Sequence, residues 1–351
     1  MDLTSLYRSL LTISARVIFF RAAISVNGNL SCMRKSIIEV IILVTGIVSL
    51  RGQAVSHQAR LSLVHESDVE TAFQWDHFPQ WSGHHLVGFY NSPSRAPVIY
   101  TIDAAGKREE VLFTLEDAAE VRIVGVSGSR DGQIAVIGTA VTSDNRGITF
   151  LARLASDRKR QLVTRTWPYV PKVVAFAPDD TIWTVGTLKV GDDPARYTPG
   201  HFLRRFDASG RMVTSSVVKT EGPDSFGEEV SFLRASRDRV GWYTRDGEYI
   251  EFSLDGAEID RYVGPDGANW RRVDGVALSE DDEVIVGMFE KGTARAGFLV
   301  LDREARTWNQ VALPREDTPR WAWVLGFDGR SLVADTVNGR LTFYRRSPDP
   351  R

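Results

Sequence analysis

From residue 59 onward, apolar and polar positions alternate in short runs that are too brief for an amphipathic helix. Val173–Ala177, Thr181–Gly186, Phe202–Asp207, Arg211–Val218, Ile250–Leu254, Leu299–Asp302 and Leu332–Asp335 are rich in β-branched and apolar residues and read as strands. Leu115–Val121 could form one or two helical turns at most. Polar turn marks punctuate these runs in two series. Asp131-Gly132, Asp179-Asp180, Arg237-Asp238, Asp281-Asp282 and Asp328-Gly329 form one, and Ser82-Gly83 falls where its first member is due. Asp103–Gly106, Asp157, Asp207–Gly210, Asp255-Gly256 and Asp302 form the other. Asp and Gly suit such places because they accept left-handed backbone and satisfy local polar groups.

The two series interleave at one shared period. Their successive Asp positions lie 48, 59, 43 and 47 residues apart in the first and 54, 50, 48 and 47 in the second. Four strands per unit of about 48 residues is the pattern of a β-propeller. Six such units fill the stretch from Val55 to Arg351, so the expected fold is all-β, a six-bladed β-propeller with four-stranded blades. The last unit supplies Trp321–Phe327, Arg330–Asp335 and Arg340–Arg345 but no fourth strand. Ala59–Val64 is predicted to complete it beside Leu341–Arg345, closing the ring and removing an open sheet edge.

Leu332-Val-Ala-Asp335-Thr-Val-Asn338-Gly-Arg340-Leu-Thr-Phe-Tyr344 resembles a repeat of the NHL / TolB-like type of six-bladed propeller. Phe176-Ala-Pro178-Asp-Asp180-Thr-Ile-Trp183, followed by Arg205–Gly210, looks like a more degenerate copy. The resemblance implies the fold and leaves activity open, because such propellers serve as binding platforms, lactonases and lyases. Lactonase-like relatives hold a divalent cation in the channel with an early Glu. Trp81–Gly88, read here as the first inner strand, has no Glu to match.

Residues 1–54 differ from the rest. Met33-Arg34-Lys35, the apolar run Ile37–Leu50 and Gly52-Gln53-Ala54 describe a signal peptide over residues 33–54. Glu39 and Arg51 are imperfect features, and an uncleaved membrane anchor or a buried helix are the alternatives. Residues 1–32 read as a non-native extension, with Met33 the expected initiator. The predicted destination is outside the cytoplasm, periplasmic or extracellular.

Charge and cysteine narrow the classes. The one Cys, Cys32, lies in the extension, which excludes an intramolecular disulfide and a Cys-rich zinc site. Residues 55–351 carry 37 basic and 43 acidic side chains, a net charge of −6. That balance, with export, argues against a nucleic-acid partner. Membrane contact is expected only through the signal segment, if it stays uncleaved.

Catalytic motifs are weak. The sequence has no Gly-x-Ser-x-Gly, phosphate loop, dinucleotide fingerprint or HExxH. No cofactor is expected, although Asp224, Glu228, Glu229 and Asp274 could offer oxygens to a divalent cation such as calcium. The histidines are His57, His65, His77, His84, His85 and His201; adjacent His84 and His85 should point to opposite faces of a strand, and one could reach the channel.

Aromatic clustering says more. Trp75, Trp81, Trp167, Trp270, Trp321 and Trp323 fall around the segments leading into inner strands, with Tyr169 and Phe226 in comparable places. These connections share a rim with the loops Lys189–His201 and Asn91–Pro97. Arg122, Lys172, Arg271, Arg272 and Arg320 lie near them. Such a mouth could stack a sugar or peptide and pair its acidic groups. Trp183, Trp242 and Trp308, within strands, are expected to pack between blades. The expectation is therefore a non-catalytic propeller that binds a carbohydrate, peptide or protein through Trp81, His84, Trp167, Tyr169, Trp270, Arg271, Arg320 and Trp321. The alternative is a metal-dependent hydrolase, lactonase or lyase at the channel mouth.

Overall fold

The computed structural model describes residues 61–71, 79–92, 95–191, 197–219, 231–265, 270–290, 296–315, 319, 321–337 and 339–348. The extension, the signal-like segment, Trp75, His57, His77 and Phe226 lie outside the described residues. The part from Ala59 to Arg351 forms one unit. It is all strand and turn, with no α-helix among the described residues.

Six antiparallel sheets of four strands follow one another along the chain. The chain enters through β1 (Leu63–Glu70). Blade 1 is β2 (Gln80–Trp81), β3 (His85–Ser92), β4 (Arg95–Asp103) and β5 (Arg108–Leu112). Blade 2 is β6 (Ala118–Gly128), β7 (Ile134–Thr142), β8 (Gly147–Leu154) and β9 (Gln161–Arg165), and blade 3 is β10 (Tyr169–Phe176), β11 (Ile182–Leu188), β12 (His201–Phe206) and β13 (Met212–Val218). Blade 4 comprises β14 (Phe232–Ala235), β15 (Arg239–Tyr243), β16 (Glu248–Ser253) and β17 (Glu258–Val263). Blade 5 comprises β18 (Trp270–Leu278), β19 (Val284–Glu290), β20 (Ala296–Asp302) and β21 (Thr307–Gln310). Blade 6 has β22 (Trp323–Phe327), β23 (Ser331–Val337) and β24 (Arg340–Arg346), with β1 as its outer strand.

Burial explains the sequence pattern. Middle strands are sandwiched between neighbouring blades and so are apolar on both faces; β20 is buried throughout. Outer strands such as β9 and β13 have solvent on one side and read as mixed. Six apolar clusters fill the six interfaces between successive blades. Val87, Phe89 and Ile99 meet Val126 and Phe150 between blades 1 and 2, for example. Trp323, Leu325 and Leu341 meet Leu86 and Tyr100 between blades 6 and 1, so the ring is closed by packing as well as by pairing.

The closing strand differs from its predicted bounds. It runs from Leu63 to Glu70 rather than from Ala59 to Val64, antiparallel to Arg340–Arg346. Only Leu63 carries a fully buried apolar side chain there, joining Leu61 in the core between blades 5 and 6. His65–Asp68 are polar because this outer face meets solvent, which hid the strand from a search for apolar runs.

The turn marks hold their places. In the turns joining first and second strands, Gly83, Gly132, Asp180, Asp282 and Gly329 take φ of 63–91°. Gly106, Arg158, Gly210, Gly256 and Arg306 do so, at 55–85°, between third and fourth strands. A second repeat governs packing. Second-strand Gly88, Gly138, Gly186 and Gly287 stand opposite third-strand Tyr100, Phe150, Phe202 and Phe298. A Cβ on Gly88 would come within 2.3 Å of the Tyr100 ring. Blade 4 departs from this rule: Gly241 faces Glu251, and the Tyr249 ring covers the glycine instead.

Two other expectations are corrected. Trp81–Gly88 is not one inner strand: Trp81 ends β2, Ser82–His84 turn, and His85 begins β3. Asn91–Pro97 is not a long loop, since β3 and β4 pair as far as Ser92 and Arg95. Asn91 instead ties the blades together. Its carboxamide nitrogen donates to Ile123 O at 2.9 Å, and its oxygen accepts from Ile123 N–H at 2.9 Å.

Candidate functional site

Antiparallel blades put all first-to-second and third-to-fourth turns at one end of the ring. The second-to-third loops and the crossings to the next blade gather at the other, called here the loop rim. The predicted site residues divide between these ends. Trp81 sits one residue before its turn, half-buried, edge-on to Phe343 at 5.4 Å, and His84 is exposed in that turn. Both therefore belong to the turn end, away from Trp167 and Trp321. Neighbouring His85, half-buried, is pushed below its ordinary value by burial and then by Arg158. Tyr169 is 0% exposed, its hydroxyl 2.8 Å from Thr184 Oγ1 and donating to Phe202 O at 3.1 Å. It presents no surface to a ligand and is set aside. The side chains of Trp270 and Arg271, and Arg320 altogether, lie outside the described residues.

Two tryptophans remain open at the loop rim. Trp321, 38% exposed, packs edge-on against Phe289 at 4.7 Å and stacks with buried Trp323 at 6.4 Å. Trp167, 47% exposed, occupies the crossing from blade 2 to blade 3 and precedes a cis proline. Three blades of six separate the two crossings, which places the indoles on opposite sides of the mouth.

Trp167 lines a depression of about 220 Å³ with Glu120, Arg122, Thr139, Thr149 and Lys189. Lys189 Nζ lies 5.4 Å from the Trp167 ring centre and 5.9 Å from that of Tyr197, both within cation–π range. On inner strand β10, Lys172 is the extra residue of a β-bulge between Pro171 and Val173. Bulges re-aim side chains. The Lys172 ammonium is held below its ordinary value first by desolvation and then by repulsion from Lys189. Arg234, on inner strand β14, is pushed down by desolvation to about 10 and stays charged at neutral pH. None of Lys172, Lys189 and Arg234 has an ion-pair partner among the described residues.

Part of this site escaped sequence reasoning. Glu120, Thr139 and Thr149 were not singled out, and Lys189 entered only as a loop boundary. The available signal was the alternation Glu120, Val121, Arg122, Ile123, which marks strand β6 where Leu115–Val121 reads as one or two helical turns. Asp274 is buried on β18; Asp224, Glu228 and Glu229 lie outside the described residues. Among the described residues no group of three or more His, Cys, Asp or Glu side chains is placed to hold a metal ion.

The fold and the rim together define a six-bladed β-propeller with an aromatic, cationic depression at one mouth of its ring. No protein-family model matches the chain, and no curated protein matches it. Among solved structures, a crystal structure of BBS1N in complex with ARL6DN, soaked with lead, shares 10% identity at a TM-score of 0.43, covering 82% of this chain and 98% of that one. A crystal structure of HIRA(644-1017) shares 13% identity at a TM-score of 0.35, covering 58% of this chain and 60% of the other. Neither overlap bears on function.

Proposed function

We propose that the protein is an exported, non-catalytic binding platform that holds a carbohydrate, peptide or protein ligand at the loop rim. The observation that carries this reading is Trp167: a large aromatic left nearly half exposed over a polar depression, beside a lysine with no acidic partner. Burying such a ring on folding would stabilise the protein, so its exposure is consistent with a contact made on binding. Trp321 supplies a second apolar station across the mouth.

The test is a glycan and peptide array probed with the wild-type chain and with Trp167→Ala and Trp321→Ala. The reading expects ligands whose binding falls in one or both variants while thermal unfolding stays unchanged. Ligands indifferent to both substitutions would move the site elsewhere. Export is tested separately by N-terminal sequencing of the protein recovered from cell fractions. A start near Val55 outside the cytoplasm is expected; a cytoplasmic chain that retains residues 33–54 would refute it.

A further inference from the structure

We infer that the depression between blades 2 and 3 is a subsite for one acidic sugar residue of a carbohydrate chain. The inference rests on the rim-platform reading above and selects the ligand class within it. Four features carry it. Trp167 offers an indole for the apolar C–H face of a pyranose ring. Lys189 is held beside that ring by Trp167 and Tyr197. A carboxylate on a stacked ring would meet the Lys189 ammonium.

Glu120 narrows the class. It lines the same depression as Lys189, yet neither side chain makes an ion pair or hydrogen bond with any described residue. Opposite charges lining one cavity without pairing leave a gap between them. A ligand that donates hydroxyls on one side and offers a carboxylate on the other fits that gap, with the Thr139 edge adding a neutral polar partner. A bare inorganic anion would instead meet repulsion from Glu120. Size points the same way. At about 220 Å³ the depression is smaller than the roughly 300–1,000 Å³ that encloses a drug-sized ligand. An open cavity of this size suits one ring of a chain whose other units lie along the rim.

The experiment titrates the full chain with a galacturonic acid trimer and a neutral galactose trimer, by calorimetry and tryptophan fluorescence in low-salt buffer. Inorganic phosphate, free amino acids and acidic peptides serve as competitors. The acidic trimer is expected to bind about 10-fold or more tightly than the neutral one, in keeping with charge-assisted contacts. Lys189→Met should erase most of that preference, lowering acidic-trimer binding far more than neutral-trimer binding. Trp167→Ala should weaken both trimers, and Trp167→Tyr should restore part of the loss. Thermal unfolding checks that each variant folds. Equal binding of the two trimers, both lost in Trp167→Ala, would overturn the acidic-sugar assignment and leave the platform standing. Phosphate competing as well as galacturonate would overturn it too, as would Trp167-dependent binding of amino acids or peptides without either trimer. If no ligand of any class depends on Trp167 or Trp321, both readings fall.

Discussion

Glu251 makes a testable weak point between blades 4 and 5. It is 0% exposed and accepts from Arg239 Nη1 at 2.8 Å, Arg303 Nε at 3.0 Å and Arg303 Nη2 at 2.5 Å. Arg239 comes from its own blade and Arg303 from the next. Deleting the carboxylate leaves two guanidinium groups facing a hole. Removing one partner of a buried pair costs about 3–5 kcal/mol. Two features reduce that here. The arginine side chains keep 30% and 26% exposure and can regain water, and Arg239 retains Asp282 at 3.0 Å. Glu251→Ala should therefore cost about 2–4 kcal/mol, and Glu251→Gln, which keeps one acceptor, about 1–2. For a ring of this size the alanine variant should melt roughly 5–10 °C lower. Urea unfolding suits the measurement, since guanidinium would screen the very charges at issue. A double-mutant cycle with Arg303→Met isolates the inter-blade part. A loss below about 0.5 kcal/mol for the alanine variant, or equal losses for Ala and Gln, would refute the clamp, given what single buried charges cost.

Other outcomes follow from the same geometry. Gly138→Ala places a Cβ 2.3 Å from the Arg122 carbonyl oxygen and 2.7 Å from the Phe150 ring, and should destabilise by about 2–4 kcal/mol in denaturant titration. Leu63→Ala, removing a side chain fully buried between blades 5 and 6, should cost about 2–4 kcal/mol, and deleting residues up to Glu70 should expose β24 and yield oligomers by light scattering. The Asp260 carboxyl sits at about 2, held there first by the Arg306 hydrogen bond. A depressed carboxylate stabilises the fold above its ordinary value near 3.8 and loses that contribution as pH falls towards 2; in Arg306→Gln an NMR titration should find Asp260 raised part of the way to its ordinary value, the Arg261 N–H still donating to it. Lys172 is the opposite case. Its ammonium is disfavoured in the fold, so the penalty is present below its folded value and fades as pH rises past 10.5. Lys172→Met should therefore raise the melting temperature only slightly at neutral pH, because the side chain is exposed and water screens most of the penalty, and a lower melting temperature would contradict the direction.

The ring was legible in the chain because its causes are local. A turn needs left-handed backbone at one residue, so Gly83, Gly132 and Asp180, and again Asp282 and Gly329, recur 47–49 residues apart whatever surrounds them. Middle strands are apolar on both faces, so they announce themselves without knowledge of their neighbours. The closing strand was half legible: its existence followed from counting strands, whereas its polar face concealed its bounds. The site belonged to the other kind of information. The Ser82-Gly83 mark abuts Trp81 and assigns it to the turn end, but nothing local says that Trp167 stands nearly half exposed over a depression at the loop rim. Tyr169, two residues beyond Trp167, is buried because β10 points it into the blade. Packing of blade 2 on blade 3 gathered Glu120, Trp167 and Lys189 around one depression, and a bulge of one residue re-aimed Lys172 on β10. Exposure, bulges and contacts between residues far apart in sequence are properties of the assembled ring, so only the tertiary structure could decide them.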